Sequence, residues 1–250
     1  MSVFASLVAH LADLLQPLFQ ASATAAAIIV FTALVRLAVH PLSRAAARGQ
    51  KAKARLSPQI AELRKKHAKN PDRMQKAFME LHAKEKVSPF SGCLPSLLQL
   101  PAFFLMYHLF SSARIGGEPN GLLSHTLFAA PLGDRWTDAL AHGGAFGGAG
   151  LVYVALFAIV AAVATYNYRR TKRQMAGATM DQQLPGMGAM GAMSAMTKVM
   201  PLLSFATLLT VAWVPLAAAL YVVTSTTWTA VERAFLYRDM PVAGALATAA

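Results

Sequence analysis

The sequence predicts an all-α polytopic membrane protein: five transmembrane helices, an amphipathic N-terminal surface helix and a cytoplasmic antiparallel helical hairpin. Three observations predict it. Of 250 residues, 56% are hydrophobic and only 14% charged, against about 25% charged in an ordinary soluble domain. So much apolar surface has no soluble interior large enough to hold it, and a disordered chain would be poor in apolar residues. The apolar residues also gather in runs of the roughly 20 residues that a bilayer crossing needs. Finally, the net charge of +12 lies between those runs and is distributed unevenly. The single cysteine, Cys93, excludes an intramolecular disulfide and a four-cysteine metal site.

Residues 1–20 come first. Phe4, Leu7, Leu11, Leu14, Leu15 and Leu18 share one helical face, and Ser6, His10, Asp13 and Gln16 another, as in a helix lying at a membrane surface. Ala21-Ser22-Ala23 resembles a signal-peptide cleavage site. However, no Lys or Arg precedes it, and Asp13 and Pro17 interrupt the apolar stretch, so the interfacial helix is the expectation. The first span covers 21–42 and is broken by one charge, Arg36. The second, 93–113, and the third, 149–168, are uncharged. The run from Val199 to Val231 is uncharged too, and too long for one comfortable crossing at about 1.5 Å per residue. Pro215 divides it, giving a short fourth span at 199–212 and a fifth at 215–231.

The connectors orient the chain. Residues Ser43–Ser88 hold thirteen of the 23 basic residues and four acids, and 169–198 holds five bases and one acid. The loop 114–148 holds only Arg114 and Arg135 against Glu118, Asp134 and Asp138. The first two are therefore expected in the cytoplasm and the third outside. The N-terminus is then outside and the tail, 232–250, inside. The basic character is mostly a topology signal and requires no DNA partner, while leaving room for a ribosomal RNA contact.

The connector 43–90 reads as the helical hairpin. Ser57-Pro58 marks a helix start with Ser57 as cap, and Asn70-Pro71-Asp72 a stop, turn and restart. Leu56, Ile60 and Leu63 can face Met74, Ala77, Phe78 and Leu81. So large an excursion suggests contact with a partner or anionic headgroups. In 169–198, methionines stand among Gly and Ala. Gly-rich composition reads as a flexible linker, and adaptable Met side chains as a surface for apolar segments.

Arg36 is the chemically informative residue. An arginine inside a span costs at least ~2.5 kcal/mol and cannot shed its proton. No Asp or Glu occurs in any span, so no intramembrane carboxylate can neutralise it. Two solutions remain: snorkelling to cytoplasmic headgroups about six residues away, or a hydrated cavity open to the cytoplasm. Polar residues in or at the ends of the spans favour the cavity. Thr32 lies four before Arg36, and Gln99, Asn167, Ser204, Thr207, Thr224, Ser225 and Thr226 lie in the others. Enzyme chemistry has little support. The histidines show no HExxH spacing, and neither a GxSxG turn nor a phosphate-binding glycine loop occurs. No cofactor and no metal are implied.

Several motifs occur in a fixed order: Ile29 to Arg36 followed by His40-Pro41-Leu42-Ser43, then Leu56 to Ile60, Glu85 to Pro89, Gly92 to Pro95, and Gln99 to Phe103. They resume at Val199-Met200-Pro201 and from Val214-Pro215 to Leu220-Tyr221. Over about residues 21–237 this pattern resembles the YidC-family membrane protein insertases, in the Gram-positive-like form without the large outside domain. The lipoprotein-signal cysteine of many Gram-positive members has no counterpart here. Where many members have an aromatic pair late in the last span, this chain has Tyr221-Val222.

The resemblance implies a groove that is hydrophilic, open to the cytoplasm and lipid, and closed outside. Its arginine maps onto Arg36, with Thr32 beside it, and Gln99, Asn167, Tyr221, Thr224 and Ser225 are its further expected residues. It also implies a non-enzymatic insertase and chaperone in the bacterial cell membrane. Newly made membrane proteins and lipids are its partners, the ribosome and the Sec translocon further candidates, and a monomer its expected state. A small-solute transporter or channel is the rival class, and would need a through-path or an ion-coupling carboxylate. A passive structural subunit would leave Arg36 and the hairpin unexplained.

Overall fold

The computed structural model describes residues 2–67, 70–85, 94–177 and 200–238. It is mostly helical, as the sequence predicts. Helix α1 is Ser2–Phe19, followed by a 3-10 turn, Gln20–Ser22, and α2, Ala23–Arg55. Then come α3 (Ser57–Lys66), α4 (Pro71–Lys84) and α5 (Leu94–Ser111). Two short antiparallel ribbons follow: β1 (Arg114–Ile115) with β2 (Glu118–Pro119), and β3 (Thr126–Leu127) with β4 (Ala130–Pro131). The remaining helices are α6 (Trp136–Gly143), α7 (Gly148–Gly177), α8 (Ala206–Trp213, after a 3-10 stretch Met200–Phe205) and α9 (Leu216–Leu236). Among the described residues, two helical stretches are long and apolar enough to cross a membrane, Val3–Ala52, counted through its 3-10 turn, and Gly148–Lys172; Leu202–Trp213 is a shorter apolar one.

Several elements differ from their sequence-based outlines. Helix α2 does not end near Leu42. Pro41 is inside it, and the Ala-, Lys- and Arg-rich residues beyond are good helix formers that carry it on to Arg55. Leu56 keeps a helical backbone (φ −81°, ψ −10°) at the position before α3. Ser57 is thus the first helical residue rather than the cap, because the chain bends there without an extended residue. Asn70 does cap α4, its side chain accepting from Arg73 N at 3.0 Å, with Pro71 in the first turn. The break at Pro215 falls between α8 and α9, where Val214 is extended. The Met-rich segment from Met180 to Met196, Cys93 and the tail beyond Arg238 lie outside the described residues.

The chain divides into two compact units. The first comprises residues 1–39, 99–166 and 203–232. Its hub is the first half of α9, where every residue from Leu216 to Val223 is buried. A helix buried all round belongs at the centre of a bundle, and Ala217-Ala218-Ala219 let neighbouring backbones approach closely. Ile28, Leu109, Phe110, Leu132, Tyr153 and Val211 complete this core.

The expected apolar face of α1 is two adjacent strips. Phe4, Val8, Leu11, Ala12 and Leu15 pack on the core, with Phe4 edge-on to Phe31 at 6.5 Å. Val3, Leu7, Leu14 and Leu18 are exposed. The second unit, 40–98, 167–202 and 233–250, contains α3 and α4, which pack together. Leu56, Ile60, Met74 and His82 are buried there, and Phe78 lies 4.1 Å from the His82 ring.

The segment 114–147 closes one end of the first unit. Helix α9 begins with backbone N–H groups that lack intrahelical partners. Leu216 N donates to Asp134 O and Ala217 N to Leu132 O, each at 2.9 Å. The Tyr153 hydroxyl of α7 also donates to Asp134 O, at 2.5 Å, and Trp136 of α6 packs on Tyr153 and Phe157. Asn120 terminates α5: its amide nitrogen donates to Leu109 O at 2.9 Å and Ser112 O at 3.0 Å.

Candidate functional site

The site is built where α2, α5 and α9 meet in the first unit. Arg36 is half-buried on α2. Its guanidinium reaches α9: Nε donates to Ser225 Oγ at 3.1 Å, and Nη2 to Ser225 O at 3.2 Å and also to Ser225 Oγ. The head group is thus directed across the bundle, onto a neutral hydroxyl and a neutral carbonyl. Tyr221 lies one turn earlier on α9 and is buried.

Three aromatic residues of α5 form the wall beside it. The Tyr221 ring lies 6.0 Å from Phe103 and 5.9 Å from Phe110, and Phe103 stacks on Tyr107 at 6.0 Å. Nothing in the composition singled these residues out, yet their i, i+4, i+7 spacing on one helical face is a signal available in the sequence.

The other expected residues fall as follows. Thr32 is on α2 one turn before Arg36, but it is only 2% exposed, and its hydroxyl donates to Ile28 O of its own helix at 2.7 Å. Its polar atom is consumed locally. Thr224 is half-buried beside Ser225 on α9. Asn167 is half-buried on α7, in the second unit. Gln99 belongs to α5, and its side chain lies outside the described residues. Arg36, Ser225 and Tyr221 are the members brought together.

A cavity of about 970 Å³ lies elsewhere in the first unit, between α1 and residues 115–125. Ser6, Asp13, Gln16, Thr24, Glu118 and His125 are among its lining residues, and Arg36 is not. No group of three or more His, Cys, Asp or Glu suited to a metal ion occurs among the described residues.

A positively charged, hydrogen-bonded site flanked by aromatic rings can hold an anionic or polar group; it offers no nucleophile–base pair. Comparison with known proteins gives a consistent result. The family model described as 60Kd inner membrane protein matches residues 15–243. A membrane protein insertase YidC of Clostridium perfringens is 40% identical over 84 residues, 34% of this chain and 35% of that protein. One of Polynucleobacter asymbioticus is 36% identical over 101 residues, 40% of this chain and 18% of that protein. One of Granulibacter bethesdensis is 43% identical over 81 residues, 32% of this chain and 14% of that protein. The chain thus spans about a third or less of the length of these relatives.

Proposed function

The chain belongs to the 60Kd inner membrane protein family, the family of the YidC insertases, and on that premise we propose that it inserts newly made membrane proteins. It moves short hydrophilic segments across the bilayer and releases the adjoining apolar helices into lipid. The reading has five spans, at 21–42, 93–113, 149–168, 199–212 and 215–231, with the N-terminus outside and the hairpin 43–90 in the cytoplasm. Its groove opens to the cytoplasm and to lipid and is closed outside. Arg36, Ser225, Tyr221 and Thr224 form the polar wall. Thr32 shapes that wall by packing, and Gln99 and Asn167 belong to it by residue type alone. Ribosome and Sec translocon contacts belong to the same proposal.

The observation that carries this reading is the Arg36–Ser225 pair. Ser225 offers the guanidinium two neutral acceptors, its Oγ and its carbonyl O. A carboxylate adds a Coulomb attraction to the charge-assisted hydrogen bonds that a guanidinium already makes to neutral acceptors. An arriving carboxylate from a client's hydrophilic tail therefore competes well for the same donors. It is held only transiently, because the client's own apolar helix gains roughly −0.5 kcal/mol per central Leu or Ile on entering lipid.

The short fourth span assists. The 3-10 stretch Met200–Phe205 and α8 together extend about 24 Å at the usual rises per residue. The hydrocarbon core is about 30 Å thick, so the bilayer thins locally beside the groove.

Complementation of an insertase-depleted strain tests the proposal. Arg36→Lys keeps the charge and retains insertion of acidic-tailed clients better than Arg36→Ala. Full activity of Arg36→Ala for every such client would remove Arg36 from the mechanism. Photo-crosslinking of ribosome-bound nascent chains to probes at Thr224 is the direct measurement, and the adduct appears only with the hydrophilic segment of the client in transit.

A further inference from the structure

We propose that the β3–β4 turn is a lipid anchor: Phe128, with Phe146 beside the start of α7, seats the outside loop in the outer-leaflet interface of the bilayer. The proposal rests on the membrane-spanning reading above.

The first observation is strain without internal reward. Phe128 and Ala129 are the two loop residues of a tight hairpin in which Leu127 pairs with Ala130. Phe128 has φ 51°, at the loop position where two-residue hairpins favour glycine, and a bulky residue there is a genuine outlier. The other ribbon of the same loop solves the same problem with Gly116 and Gly117, both at positive φ. Among the described residues little packs on the phenylalanine, whose side chain is 77% exposed. Strain kept at a residue whose ring is left exposed points to a contact for that ring outside the chain.

The second observation is depth. The Phe128 N–H donates to Ser22 Oγ at 3.2 Å, one residue before α2 begins. The next residue, Ala129, has its Cβ 2.8 Å from where a Cβ on Gly148 would lie, and Gly148 is the first residue of α7. The turn is therefore strapped to the outer ends of the first and third spans, and the ends of spans are where aromatic belts lie. Phe146 is 89% exposed, at the tip of the turn closed by Gly147 N to Gly144 O, and leads directly into α7.

Site-directed spin labelling decides it. Phe128→Cys in a Cys93→Ser background is labelled with a nitroxide and placed in phosphatidylethanolamine–phosphatidylglycerol vesicles. Collision with oxygen should exceed collision with a water-soluble nickel chelate, and the label should report a depth near the headgroups. Leu209→Cys, on the exposed face of α8, is the control and should report greater depth. A lipid signal at 209 with a fully aqueous signal at 128 would overturn the anchor and leave the membrane reading standing. An aqueous signal at 209 would sink both. Phe128→Gly is a second variant that the hairpin accommodates without strain. In vesicles, amide exchange over residues 121–134 should then rise several-fold with melting unchanged, and unchanged exchange would overturn the proposal.

Discussion

Ser225 places a neutral acceptor where a carboxylate would bind Arg36 more strongly, and that choice makes a sharp prediction. Ser225→Asp places a carboxylate beside the guanidinium permanently. The guanidinium then holds its own aspartate, and acidic-tailed clients lose their partner. Insertion of those clients should fall about tenfold or more, since a hydrogen bond to a charged group contributes roughly 1.5–3 kcal/mol. Ser225→Ala should leave them nearly unaffected or faster, because it removes only the resident competitor. Measuring insertion with both variants separates the competition from general damage to α9; equal losses would dismiss it. Arg36 was legible as a candidate because a lone charge in an apolar run must either snorkel or find polar partners. Ser225 was legible only as one of the neighbouring hydroxyls from Thr224 to Thr227, since packing, not composition, decides which one faces α2. Thr32 shows the converse. Its spacing from Arg36 gave the right face, but a buried threonine hydroxyl can satisfy itself on the carbonyl one turn back, which no spacing argument sees.

At the scale of elements, stability of the end built from residues 114–150 depends on Asn120 and Gly150. Asn120 occupies the end of α5, giving both its amide hydrogens to helix carbonyls and accepting from Leu122 N. Asn120→Ala leaves those buried groups unpaired and should cost about 1–3 kcal/mol, read as a lower melting temperature in detergent with helix content retained. Gly150, in the first turn of α7, lies against the preceding loop so closely that an added Cβ would sit 2.2 Å from Gly144 O and 2.7 Å from Ala145 O. Both atoms are backbone, so Gly150→Ala forces the loop to move. It should destabilise by more than the few tenths of a kcal/mol typical of a surface change, and equal melting of the two proteins would show that the loop yields freely. The two ribbons were not legible, because strands of two residues carry no alternation to read. The long helices were, because their apolar runs and prolines are strong signals. Their ends were not: α2 and α7 run on into basic sequence whose helix propensity is good, so hydropathy alone stops them too early. Helix α1 was legible as amphipathic, but the split between its docked and exposed strips depends on the Phe4–Phe31 contact, which only the fold supplies.

At the scale of the whole molecule, the chain falls into two compact units. All the buried residues of the main core, from Val8 to Val223, belong to the first unit. The helices α3 and α4 carry their own small cluster of Leu56, Ile60, Met74 and His82. Replacing Ser57–Lys84 with a short linker therefore removes a self-contained pair of helices and leaves the main core's contacts intact. The deletion variant should accumulate in the membrane and keep its outer loop protected from protease. The exposed face rich in Lys and Arg that α3 and α4 carry in the intact chain is then missing. Most isolated surface charges contribute little to stability, so their concentration in one excursion is better explained by recruitment, of anionic headgroups or of an arriving client complex. Insertion by the variant should accordingly slow several-fold, with the deficit growing as ionic strength is lowered, where the intact protein gains most from its charge. Insertion at the normal rate across that salt range would reduce the hairpin to a connector and confine the insertase function to the first unit.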